Sequence, residues 1–174
     1  MNFFSYTKKG NRGLSIVEAL VSIAILVFVF SIVASVAMVL AQGQGRIRIA
    51  RRLDSAAVIS MERMTRAVRG ASSFNLAQSA FDAHPGKLSL IAADGAVSTT
   101  TTFYLSGSTL MVDQNGITEG PLTAAEVSVD SLIFRRIVTP VSEGVRIEMN
   151  LSSTYGTTTG KAAFYTSVFA RGSY

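Results

Sequence analysis

Gly13-Leu14-Ser15-Ile16-Val17-Glu18-Ala19-Leu20-Val21-Ser22-Ile23-Ala24-Ile25-Leu26 opens an apolar run that extends to Ala41 and holds one charge, Glu18. Residues 14–41 number 28, and wound as an α-helix they reach about 42 Å at about 1.5 Å per residue. About 20 apolar residues suffice to cross a bilayer, so this run is long enough to span one and protrude. It has no Pro, and no Gly falls between Gly13 and Gly43. An unbroken helix is predicted, because lipid obliges every backbone polar group to be satisfied within the segment.

Glu18 is the anomaly in that helix. A carboxylate at the centre of a membrane helix costs about 2.5–3.5 kcal/mol on insertion scales. Glu18 lies only five residues past Gly13, about one turn into the run. One reading is a helix-end carboxylate, favoured by the macrodipole and snorkelling towards the headgroups. The other is a group kept for a partner, such as a free amine. Spacing alone leaves both open.

Lys8, Lys9 and Arg12, then Gly13, then an apolar run with Glu at its fifth position together resemble the amino-terminal signal of type IV prepilins and type II secretion pseudopilins. In that family a prepilin peptidase cuts after the Gly and N-methylates the new terminus. The resemblance implies cleavage between Gly13 and Leu14, methylation at Leu14, and an assembly role for Glu18. The new terminus is Leu rather than the commoner Phe, which bears on methylation more than on cleavage. The run also lacks the helix-breaking Pro of many major pilins, which points to a minor pilin or pseudopilin. The implied fold is α+β and pilin-like: a long N-terminal helix whose second half packs on an antiparallel sheet. The implied partners are prepilin peptidase, other pilins or pseudopilins, an inner-membrane assembly platform and the lipid membrane. The implied location is the bacterial cytoplasmic membrane, N-terminus in the cytoplasm, and after processing a pilus or pseudopilus outside.

Composition bounds the alternatives. With 174 residues, much of it leader and helix, there is room for one modest further domain. The chain has no Cys, which excludes disulfides and thiolate metal sites. Its net charge of +5 divides unevenly: +3 in residues 1–13, −1 in 14–41, +5 in 42–70 and −2 in 71–174. The last part is mildly acidic, so a basic nucleic-acid-binding domain is not supported and no nucleic-acid partner is expected. The expected organisation is a cleaved leader over 1–13, a transmembrane and assembly helix over 14–41, its amphipathic continuation over 42–70 and an extracytoplasmic β-rich domain over 71–174.

Gln42-Gly43-Gln44-Gly45 is a soft spot, since two interior Gly cost about 1 kcal/mol each relative to Ala. The helix either bends or melts there or is held by its neighbours. Beyond it Leu53, Ala57, Met61, Met64 and Val68 recur at steps of four or three and mark one apolar face, and Gly70 is a stop signal. Arg46, Arg48, Arg51 and Arg52 crowd the exit of the apolar run. They read as a solvated segment, or as groups facing lipid phosphates or neighbouring subunits, at about 1 kcal/mol each near an anionic surface. Charge counting alone would orient the helix the other way or give no orientation; the prepilin resemblance decides.

Residues 71–86 read as a loop or short helical piece ending in His84-Pro85-Gly86, with His84, the sole His, an exposed loop residue. Strands are predicted over 87–92, 97–105 and 109–112, the last two forming a hairpin closed off by Asp113-Gln114-Asn115-Gly116. Gly120-Pro121 starts a loop. A strand over 127–137 changes phase near Ser131, as a bulge would make it do. Val145, Ile147, Met149 and Leu151 alternate with polar residues as in a half-buried strand. Residues 155–160 read as a polar turn and 162–170 as the last strand. No catalytic constellation, cofactor motif or spaced set of metal ligands emerges, and the turn chemistry of Asp94-Gly95 and Asp113–Gly116 explains them better than calcium does. An enzyme is therefore not expected. The rival to the pilin reading is a signal-anchored protein displaying a non-polymerising adhesin or ligand-binding β-domain, which needs neither Gly13 nor Glu18.

Overall fold

The computed structural model describes residues 15–94, 97–140 and 142–170. The chain divides after Gly43 into two units. A single helix, α1 (Ile16–Gly70), accounts for all that is described of the first but Ser15, and opens the second. It continues through Gln42–Gly45 without a break and ends at the expected stop, where the Ala71 amide donates to the Val68 carbonyl at 3.2 Å.

In the second unit the predicted face of α1 is buried. Leu53, Ala57, Met64 and Val68 are at most 3% exposed, Met61 is partly buried, and Ile49, Ala56 and Ser60 extend the stripe. Arg63, Arg66, Arg69 and Glu62 are exposed on the far side, whereas Arg52 is half-buried. Each large apolar side chain on this face contributes about 1.5–3 kcal/mol through burial.

Among the described residues eight strands follow: β1 (Ser73–Phe74), β2 (Leu88–Asp94), β3 (Val97–Ser106), β4 (Thr109–Gln114), β5 (Ile117–Pro121), β6 (Val127–Val138), β7 (Glu143–Tyr155) and β8 (Thr158–Phe169). All pairings are antiparallel, so the protein is α+β. The expectation of one sheet is corrected to two, a five-stranded β1-β2-β3-β4-β5 and a three-stranded β6-β7-β8. The sheets stay separate because other groups occupy the outer edge of β6. The Asp82 and Gly86 amides donate to the Phe134 and Leu132 carbonyls at 2.9 Å, the Leu132 amide donates to His84 Nδ1 at 3.2 Å, and the Val129 amide donates to the Ser108 carbonyl at 2.8 Å. Gly86 allows this close approach, since a Cβ there would lie 2.9 Å from the Leu132 carbonyl oxygen.

Three further boundaries differ from expectation. Asn115-Gly116 does not close a hairpin off but turns β4 into β5; positive φ at both residues (52° and 79°) makes this the two-residue turn that suits strand twist. Residues 73–74 form β1 where a loop was expected. β8 starts at Thr158 rather than Ala162, because the turn from β7 needs only Gly156-Thr157. The phase change at Ser131 is a bulge: Val129 faces Leu151 and Ser131 faces Asn150, leaving Asp130 as the extra residue. Its carboxylate accepts from Ser152 Oγ at 2.6 Å and from Lys161 Nζ at 3.1 Å, so the bulge ties β6 to β7 and β8. The Ser152 hydroxyl, and then Lys161, hold that carboxyl below its ordinary pKa.

The core gathers α1's buried face, Leu88 and Leu90 of β2, Phe103 of β3, Leu110 and Val112 of β4, and the inward residues of β6 and β7. Leu132, Phe134, Val145, Ile147, Met149 and Leu151 are fully enclosed. These strands alternate in and out, which is what seats the helix on one side of them.

Candidate membrane and assembly helix

Every residue from Ser15 to Leu40 is exposed, including Ile16, Leu20, Leu26, Phe28, Phe30 and Leu40 at 63% or more. Such a helix, apolar all round, must be covered. Left in water, each large side chain would forgo about 1.5–3 kcal/mol. It is long and apolar enough to cross a membrane. One hydroxyl within it is satisfied by the helix itself: Ser35 Oγ donates to the Ser31 carbonyl at 2.8 Å, a bond that lipid would not replace.

Glu18 lies in the first turn of α1. The Ala19 amide donates to the Ser15 carbonyl at 3.0 Å, so Ser15 sits at the cap and Glu18 three residues on. That is capping-box spacing, a signal that the sequence itself carries. The carboxylate is exposed and forms no ion pair or side-chain hydrogen bond among the described residues. Gly13 and Leu14, the expected cleavage and methylation site, and Lys8, Lys9 and Arg12 lie outside the described residues.

The Arg cluster acquires a partner that lies 107 residues away in sequence. Arg48 Nη1 donates to the Tyr155 hydroxyl at 3.2 Å, and the guanidiniums of Arg48 and Arg52 lie 5.4 and 5.6 Å from the Tyr155 ring centre, within cation–π range. The same ring covers Gly45, where a Cβ would stand 3.6 Å from Tyr155 Cδ1. Arg46 rims a groove of about 410 Å³ between α1 and the start of β8, floored by Ile49, Leu53 and Gly160. Arg51 and Arg52 rim a second, of about 300 Å³, on the side of Leu122 and Glu126.

Elsewhere the polar residues singled out in the sequence are engaged in local structure. His84 is exposed, and its Nδ1 accepts from the Leu132 amide. Asp113 accepts from the Tyr104 hydroxyl at 3.2 Å, and Asn115 Oδ1 accepts from the Thr100 amide at 2.8 Å. Among the described residues no group of three His, Cys, Asp or Glu is placed to hold a metal ion. Comparison with known proteins returns no matching family model, no matching curated protein and no matching solved structure.

Proposed function

We propose that this chain is a structural subunit, a minor pilin or pseudopilin, cut after Gly13 by a prepilin peptidase and assembled through its N-terminal helix. The assembly would be a type IV pilus or type II secretion pseudopilus, with a place in the initiating or tip complex. The observation that carries the reading is one sequence of features: a basic leader ending in Gly13, an apolar run with Glu18 at its fifth position, and a fully exposed apolar helix that then joins the core of a β-rich unit.

The physical logic is exchange of one apolar environment for another. Before assembly, residues 14–41 lie in the cytoplasmic membrane with the leader on the cytoplasmic side. In a fibre the same surface packs against equivalent helices, so lateral contacts replace lipid. Glu18 then meets the free amine of a neighbouring subunit's Leu14, and pairing offsets the cost of taking a carboxylate out of water. Removing residues 1–13 deletes three positive charges that would hold the terminus at the membrane face.

Glu18 also separates this reading from a plain anchor, which its helix-capping position favours. An anchor gains from Glu18→Ala, by about 2.5–3.5 kcal/mol at most. A fibre subunit loses about 3–5 kcal/mol, since a neighbour's buried amine is left unmatched. Glu18→Ala is therefore expected to be cleaved and to reach the membrane normally, but to co-purify poorly with partner pilins at equal membrane abundance. Co-purification at the wild-type level would leave Glu18 a helix-end residue and the chain an anchored protein.

A further inference from the structure

Among the described residues the arginines divide by whether a carboxylate meets them; Arg69, in the last turn of α1, is met by none and lies 17 residues beyond Arg52. Arg63, Arg66, Arg135, Arg136 and Arg146 each pair with a carboxylate: Glu119, Glu62, Glu148 with Asp82, Glu143 and Glu148 respectively. Arg46, Arg48, Arg51 and Arg52 pair with none among the described residues, although Asp54 and Glu126 line the same two grooves. At about 100° per residue these four point to several sides of α1, forming a collar rather than a stripe. Arg48 and Arg52 are fixed in it by Tyr155, which accepts from one and lies against both.

With the end of the apolar run at the edge of the hydrocarbon layer, the collar would stand among the headgroups. Arg46 follows Ala41, the end of the apolar run, by five residues, which is at most about 18 Å of chain in any conformation. Four guanidiniums without a carboxylate partner among the described residues, two of them held by an aromatic ring, match phosphate, which guanidinium binds through a fork of donors. We propose that residues 46–52 form a binding collar for the phosphates of anionic phospholipids in the leaflet where the apolar helix emerges. It would set the depth at which the β-rich unit rides on the membrane. The inference rests on the membrane placement of the helix and not on fibre assembly.

The test uses the full chain in neutral detergent, titrated with phosphatidylglycerol or phosphatidylcholine and read by native mass spectrometry. Wild type is expected to retain phosphatidylglycerol at least about tenfold more tightly, each arginine contributing up to about fivefold. The variant with Arg46, Arg48, Arg51 and Arg52 all changed to Gln should lose that preference. The variant with Arg63, Arg66 and Arg146 changed to Gln should keep it, and so should the four-fold Arg→Lys variant, in large part. The leader is common to all, so the difference isolates the collar. Wild-type retention should also weaken as salt rises. The proposal is overturned if wild type shows no preference, if its preference is insensitive to salt, or if the two Gln variants lose it equally. Displacement of the lipid by soluble glycerol phosphate at equal concentration would reassign the site to a free phosphate. Selective loss of partner-pilin co-purification with lipid retention unchanged would make the collar a subunit interface. Failure of peptidase cleavage or of fibre entry would leave the lipid result standing.

Discussion

Deleting residues 1–45 is expected to leave a soluble, folded monomer, whereas deleting eight more is expected to cripple it. The helix face that enters the core begins at Ile49, 2% exposed, and continues through Leu53 at 3%. Nothing between Ser15 and Leu40 is buried, so residues 46–174 keep the whole buried set of side chains. Deletion through Leu53 removes two of its large apolar members, at about 1.5–3 kcal/mol each. It also strips the cover from β8 at Gly160, where a Cβ would stand only 2.6 Å from Ile49 Cγ2. A loss of about 3–6 kcal/mol is large against a total stability of about 5–15 kcal/mol. In urea, with a slope of about 2 kcal/mol/M, the midpoint should fall by about 1.5–3 M. The assay is circular dichroism through a urea titration of both fragments. Equal midpoints would refute the reasoning, as would a fragment 46–174 without β signal or one that aggregates obligatorily without detergent.

Two other perturbations read the same fragment. Gly144→Ala places a Cβ 2.6 Å from Phe169 Cδ1 and 2.7 Å from the Val168 carbonyl oxygen; a ring can swing but a strand carbonyl resists, so a loss of about 1–3 kcal/mol is expected, and a urea midpoint as high as that of Gly70→Ala, which meets nothing within 4 Å, would contradict it. Asp130 carries the pH prediction: its carboxyl is depressed when folded, so its stabilisation is present above the unfolded pKa and lost as pH falls through the lower folded value. Below about pH 4, wild-type stability should therefore fall more steeply than that of Asp130→Asn; parallel acid titrations would show the bulge ties to be idle.

Much of this architecture was legible because periodicity and burial are the same fact seen twice. Leu53, Ala57, Met64 and Val68 announced their face by spacing, and the phase slip at Ser131 announced the bulge at Asp130. β5 was hidden because Glu119, Gly120 and Pro121 are poor strand formers, and pairing with β4 through the Asn115-Gly116 turn overrides their preference. The turn itself was the available signal. Whether α1 would survive Gly43 and Gly45 was not legible, because part of what meets the helix there is Tyr155, distant in sequence. For the same reason the Arg cluster could be seen but not its organisation. The two-sheet division depended on hydrogen bonds from residues 82–86 to β6, which no local pattern encodes.

The central claim is that residues 1–13 are a leader and that the working chain starts at Leu14. Intact-mass measurement of the protein recovered from membranes of cells that contain prepilin peptidase, beside cells that lack it, tests this directly. The account predicts a chain beginning at Leu14, with or without one added methyl group, in the first case and an uncut chain in the second. A protein that still begins at Met1 in the presence of the peptidase, or that is cut at any other bond, would contradict it.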